Sequence, residues 1–232
     1  EGIVDNLVGF LAFSVLFLIV WQLIGPRLVG TEAVGLNANI DASGDSGFNG
    51  DLFTFDASNS EGDFVTYEWD FGDGNVAEGQ SVSHNWSEGG VYFVVLTAKD
   101  ASDRQSVEFH QVTIDYQDSG SGEVSGGSQD TITRNVNPYV NEVNIYMNLT
   151  GDSDAAIGNN GASSDITVTI EVDGQSIFSE SYDVDKGSTE SIQFSINDSE
   201  TVGEWNLIFE SNDGVSDFTY DYNWLSDFEV SS

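Results

Sequence analysis

Two periodicities divide the chain. From Ile3 to Ile24 it reads IVDNLVGFLAFSVLFLIVWQLI, and nothing ionisable interrupts Leu7 to Val20. About 20 apolar residues suffice to span a bilayer, and a segment apolar on every face must be buried all round, in lipid or in protein. The pattern predicts a hydrophobic helix over residues 1–30, with Gly25-Pro26 as its kink or end. After Gly30 the period changes to two. Val34, Leu36, Ala38 and Ile40 alternate with polar residues, as do Val65, Tyr67, Trp69 and Phe71. Val82, His84 and Trp86 follow, then Tyr92, Val94, Leu96 and Ala98. Such alternation marks strands with one buried face. Turn-rich clusters at 41–50, 58–63, 72–79 and 87–90 separate these strands, the rhythm of an antiparallel β-sandwich.

Residues 117–130 read QDSGSGEVSGGSQD, which predicts a Gly/Ser/acidic linker or long loop. Alternation then resumes at Val143, Ile145, Met147 and Leu149, at Ile166, Val168, Ile170 and Val172, and at Ile192, Phe194 and Ile196. Asp173-Gly174 reads as a hairpin turn. The stretch from Gly203 to Trp224 reads as another hairpin, turning at Asn212-Asp213-Gly214, with Trp205, Leu207 and Phe209 facing Phe218, Tyr220 and Tyr222. The expected fold class is mainly β. One long N-terminal hydrophobic α-helix (1–30) precedes two antiparallel, Ig-like β-sandwich domains at 34–116 and 131–232.

Composition narrows the function. Five Lys and Arg stand against 40 Asp and Glu, for a formal net charge of −35 over 232 residues. A basic patch for nucleic acid is therefore excluded, because phosphate contacts need Lys or Arg. With no Cys, a thiol nucleophile, a Cys zinc site and a disulfide scaffold are excluded too. Aromatics at 12% set the chain apart from a disordered acidic tail. The charge fits a halophilic setting, where concentrated salt screens self-repulsion. It is unevenly placed: Glu1, Asp5 and Arg27 are the charged residues of the first 30.

The apolar segment suits a membrane anchor or a helix that packs against its own kind. Its acidic start and the length of its apolar stretch do not fit a secretory signal peptide. Phe10, Phe13 and Phe17 follow three-and-four spacing with Trp21 beyond them, a stripe suited to helix packing. A chain that opens directly on such a helix, with an acid at position 5, resembles mature type IV pilins and their archaeal relatives. That resemblance implies a leader removed ahead of Glu1, insertion in the cytoplasmic membrane, and assembly of identical subunits into a helical homopolymer. A carboxylate among apolar helices costs several kcal/mol unless paired. Asp5 is then expected to pair with the α-amino group of a neighbouring subunit, or to lie at the membrane–water interface; Glu1 is a rival partner for its own amine.

The segment FTFDASNSEGDFVTYEWDFGDG, followed by VSHNWSEGGVYFVVLTAKD, resembles a PKD domain. The motif residues are Trp69-Asp70-Phe71-Gly72-Asp73-Gly74, His84-Asn85-Trp86, and the strand from Gly90 to Leu96, with Trp86 where Tyr is usual. Trp69 and Phe71 share a face and should fill a core. Asp70 and Asp73 should accept turn N–H bonds, and Gly72 and Gly74 permit tight geometry. His84, in phase with Val82 and Trp86, is expected to be a hydrogen-bonded core histidine. The resemblance implies an extracellular spacer or interaction module.

No Ser-His-Asp or metal constellation is legible, so neither an enzyme nor a cofactor is expected. Acceptor sequons occur at Asn85, Asn148 and Asn197, and each should face outward or sit at a strand end. Together these readings suggest a pilin-like surface glycoprotein that polymerises through its N-terminal helix and contacts a surface, S-layer or glycan through its β domains. A membrane-anchored surface protein that does not polymerise is the alternative.

Overall fold

The computed structural model of the protein describes residues 35–137, 139–151, 163–197, 202–212 and 217–229. Every regular element among them is a strand. The expected fold class is corrected accordingly: the described fold is all-β, built from several sheets, because from residue 35 onward apolar residues recur every two positions. The helix expected over 1–30 lies outside the described residues, together with Glu1, Asp5, Phe10, Phe13, Phe17 and Trp21. Among the described residues no helix is long and apolar enough to cross a membrane.

The strands are β1 (Asp41–Ala42), β2 (Ser46–Phe48), β3 (Phe53–Asp56), β4 (Phe64–Asp70), β5 (Val76–Glu78), β6 (Ser81–His84), β7 (Gly90–Asp100) and β8 (Gln105–Val124). There follow β9 (Gln129–Val136), β10 (Val140–Gly151), β11 (Ser164–Val172), β12 (Gln175–Val184), β13 (Thr189–Ile196), β14 (Gly203–Ser211) and β15 (Phe218–Phe228). The chain divides into two compact units. The first takes residues up to Ser43, Phe53–His84 and Phe93–His110; the second takes Gly44–Leu52, Asn85–Tyr92 and Gln111–Ser232.

In the first unit β1, β3 and β6 form one antiparallel sheet, while β4 pairs with β5 and with β7. Phe53, Phe55, Trp69, Phe71, Val94 and Leu96 are buried in its core. Two expectations are corrected here. Instead of a strand over 34–40, the described part makes one isolated bridge, Asn37 to Glu61. Val65, expected inward, is 62% exposed. A bulge between Phe64 and Thr66 shifts the register, and a one-residue shift turns a side chain to the other face.

The second unit is a sandwich. One sheet runs β13-β10-β15 and then residues of β8; the other runs β12-β11-β14-β9. Its inner faces bury Ile145, Met147, Leu149, Ile166, Val168 and Ile170 around a Trp205–Trp224 pair, whose ring centroids lie 5.2 Å apart edge to face. Asp173 (φ 49) and Gly174 (φ 74) form the two-residue turn joining β11 and β12.

The expected 203–224 hairpin is corrected. β14 pairs with β11 and β9, and β15 with β10 and β8. The two strands belong to opposite sheets, and their inward aromatics meet face to face: Phe209 stacks on Tyr220 at 3.9 Å. Two strands facing across a core and two strands of a hairpin carry the same alternation, so the pattern cannot separate them.

The expected linker also differs. Residues 117–124 are the second half of β8 and pair with β15 from Tyr220↔Gly122 to Trp224↔Asp118 and beyond. The glycines that suggest flexibility have a packing reason. A Cβ at Gly120 would come 2.8 Å from the Tyr222 ring, and one at Gly122 would come 2.5 Å from the Tyr220 hydroxyl.

Candidate functional site

The PKD-like motif of the first unit is built as structure. Asp70 Oδ1 accepts from the Gly72 N–H at 2.9 Å, and Asp73 Oδ1 accepts from the Asn75 N–H at 3.0 Å. Each carboxylate thus closes its own turn. Gly72 (φ 80) and Gly74 (φ 89) are in the left-handed region, and a Cβ on Gly72 would come 3.1 Å from the Phe93 carbonyl. His84 lies 2.8 Å from Asp73 Oδ2 through Nε2 and stacks on Phe71 at 4.1 Å. Burial pushes Asp73 upward, but hydrogen bonds from Asn75 and His84 outweigh it and hold the carboxyl below its ordinary range. Trp69, buried against Phe55, donates its indole N–H to the Gly79 carbonyl at 2.8 Å. Every polar group of the motif named here has a partner in the fold. Among the described residues no cluster of three His, Asp or Glu could hold a metal.

The second unit contains the more open chemistry. On β9 the inward positions are Asp130, Ile132, Arg134 and Val136; on β8 they include Asp118, Gly120, Gly122 and Val124. Here charged residues point into the sandwich. Arg134 Nε donates to Asp118 Oδ2 at 2.8 Å, its Nη2 donates to the same oxygen, and Nη2 also reaches the Tyr222 hydroxyl at 2.9 Å. Its Nη1 donates to the Thr133 carbonyl at 2.7 Å. Tyr222 donates to Asp118 at 2.9 Å, and Tyr220 to Asp130 at 2.5 Å. Burial works against the Arg134 charge, but Asp118 outweighs it and raises the guanidinium above its ordinary value. Burial first, then hydrogen bonding to Asp118 and its charge, pushes Tyr222 up to about 12.

Beside this network lies a pocket of about 290 Å³, and all its lining residues belong to the second unit. Trp224 and Phe228 of β15 form apolar lining, and Tyr116 of β8 and Arg134 of β9 line it too. Glu88 and Asn135 are exposed lining residues. Trp224 donates its indole N–H to Ser226 Oγ at 2.8 Å. Gly89 allows the close approach: a Cβ there would come 2.4 Å from the Phe228 ring and 2.7 Å from Tyr116 Cβ. Asn137 Nδ2 pins the Gly89 carbonyl at 2.8 Å. Sequence reasoning singled out none of these pocket residues as functional. The alternation Asp130, Ile132, Arg134, Val136 was a usable signal, but charge at inward positions reads as loop.

The sequons are not equivalent. Asn85 and Asn197 are exposed. Asn148 is half-buried on β10, where its Nδ2 donates to Asp221 at 2.9 Å and its Oδ1 accepts from Ser191 at 2.7 Å. The expected outward direction is present, but the amide is occupied by the strands on either side.

Residues 37–114 match the family model of the PKD domain, and the chain carries such a domain. Collagenase ColA of Bacillus cereus is 39% identical over 63 residues, which is 27% of this chain and 7% of that protein. The PKD1 domain from the Vibrio cholerae metalloprotease PrtV is 20% identical, covering 35% of this chain and 98% of that one, with a TM-score of 0.30. A carbohydrate-binding module of the β-sandwich superfamily is 14% identical, covering 87% of this chain and 100% of that one, with a TM-score of 0.34.

Proposed function

We propose that the protein is a structural subunit of an extracellular, pilus-like filament, with its β domains turned outward for adhesion or surface interaction. The PKD domain supports the extracellular half of this reading, because PKD domains occur in extracellular or secreted proteins. The observation that carries the rest is the partition of charge and hydrophobicity. A segment apolar from Leu7 to Val20 adjoins an acidic ectodomain that holds nearly all of the 40 Asp and Glu. Burial of an apolar side chain contributes about 1.5–3 kcal/mol, so a run of them strongly favours burial, in a membrane before assembly and against identical subunits afterwards. Asp5 is the acid within that run, and pairing it during assembly would set how subunits register. Acidic outer domains keep such a filament hydrated and soluble.

Electron microscopy of material sheared from cells tests this. Filaments composed of this chain are the expected result. Recovery of the chain solely in membranes would support the second reading, a non-polymerising surface binding protein, which the pocket beside Arg134 favours.

A further inference from the structure

We propose that the pocket of the second unit is a binding site for a single neutral sugar ring. The proposal rests on the surface-interaction half of the function above and names the ligand class. Size comes first. About 290 Å³ lies just below the ~300–1,000 Å³ typical of ligand pockets, enough for one pyranose but not for an extended chain.

Chemistry comes second. The half-buried Tyr116 ring supplies the accessible apolar wall, backed by the buried Trp224 and Phe228, and Asn135 and Glu88 add exposed polar groups. A pyranose matches that mixture, because its C–H face packs on aromatic surface while its hydroxyls both donate and accept. The Glu88 carboxylate accepts, and the Asn135 amide both donates and accepts, while the Arg134 N–H groups are committed to Asp118, Tyr222 and Thr133.

Charge comes third, and it separates the alternatives. Arg134 is paired with Asp118, so its charge is locally cancelled. With Glu88 at hand, an anion meets net negative surroundings, a penalty that a neutral polyol does not pay.

The site is also held in shape before any ligand arrives. Four hydrogen bonds fix the Arg134 side chain on Asp118, Tyr222 and Thr133. Asp115 Oδ1 accepts from the Phe228 N–H at 3.0 Å, and the Gly89 carbonyl is tied to Asn137. A fixed wall reduces the ordering cost of binding, which matters for a small ligand with few contacts.

The test is saturation-transfer NMR on the full chain, held in a zwitterionic detergent without a sugar headgroup. The probes are the methyl glycosides of glucose, galactose, mannose and N-acetylglucosamine. Transfer to at least one of them is expected, with affinity falling about tenfold in Tyr116→Ala and in Asn135→Ala. Asn135 is exposed, so its variant keeps the fold intact if Tyr116→Ala does not. Three results would overturn the proposal: no transfer to any of the four glycosides, transfer unchanged in both variants, or preferential uptake of tetramethylammonium or acetate. Filaments of this chain in material sheared from the producing cells would show that the filament reading survives such a failure.

Discussion

Gly122 of β8 and Tyr220 of β15 are direct cross-strand partners, and the tyrosine ring occupies the space that a side chain on Gly122 would fill. The ring is fixed on both sides. It stacks on Phe209 at 3.9 Å, and its hydroxyl donates to Asp130. It therefore cannot swing away cheaply. Replacing a strand glycine by alanine ordinarily stabilises, because glycine loses more backbone freedom on folding. Here the sign should reverse. Gly122→Ala is expected to destabilise by about 1–3 kcal/mol, the usual cost of overpacking, and chemical denaturation measures it. A stabilised variant would contradict the packing role.

The same pair shows what the sequence could and could not disclose. Trp69, Phe71, Val94, Leu96, Ile145, Met147, Ile166 and Val168 announce their burial by alternation, and they are buried. The Asp173-Gly174 turn is legible because two consecutive left-handed residues demand it. The run SGSGEVSGGS is not legible, because a glycine kept for a neighbour's ring looks the same as a glycine kept for flexibility. The partners of Gly120 and Gly122 lie about a hundred residues further along the chain. Likewise Asp118 and Arg134 look like surface charges until the fold brings them together, and Val65 looks inward until a bulge turns it out.

Arg134 should tolerate no simple substitute. Two of its nitrogens converge on Asp118 Oδ2 while a third reaches the Thr133 carbonyl, a fork that a lysine ammonium cannot reproduce. Truncation leaves Asp118, itself only 25% exposed, without its charged partner. Arg134→Ala is expected to cost about 1–3 kcal/mol, and Arg134→Lys should recover only part of that. Inward charges on edge strands also oppose edge-to-edge pairing, so Arg134→Leu should raise aggregation in light scattering even where stability is retained.

Alkali should loosen the second unit in a defined window. Tyr222 titrates near 10 when unfolded and is pushed up to about 12 in the fold, by burial first and then by Asp118. Its neutral form is the one the fold prefers. That contribution is complete below pH 10 and is lost as pH rises toward about 12. Tyr182, raised to about 12 by burial and Glu180, adds to the same slope. Denaturation midpoints measured from pH 9 upward should fall through this window, and Tyr222→Phe should flatten the fall. An unchanged slope in that variant would remove Tyr222 from the account.

Salt should stabilise the fold. At a formal net charge of −35 the chain repels itself, and the screening length shrinks from about 30 Å at 0.01 M salt to about 3 Å at 1 M. Asp227 shows the strain locally: burial, then the charges of Asp115 and Glu142, hold its carboxyl above the ordinary range. Thermal midpoints should therefore climb with sodium chloride well beyond physiological strength, and Asp227→Asn should weaken that dependence. A midpoint independent of salt would mean that the acids are spaced widely enough for their repulsion to be negligible.

Glycan attachment, where the producing cell modifies sequons, should follow amide accessibility and not the motif. An oligosaccharide needs the asparagine Nδ2 exposed. Asn85 and Asn197 meet that requirement as exposed residues. At Asn148 the same nitrogen is committed to Asp221, and the oxygen accepts from Ser191, so the side chain bridges β15 and β13 across β10. Attachment there would break both bonds and place a bulky polar chain over a continuous sheet face. Glycopeptide mass spectrometry of protein purified from its own cells should find sugar on Asn85 or Asn197 and leave Asn148 bare. In Asp221→Ala the constraint on Asn148 is relaxed, and occupancy there should rise. Sugar on Asn148 with both other sites bare would show that modification precedes folding of the second unit.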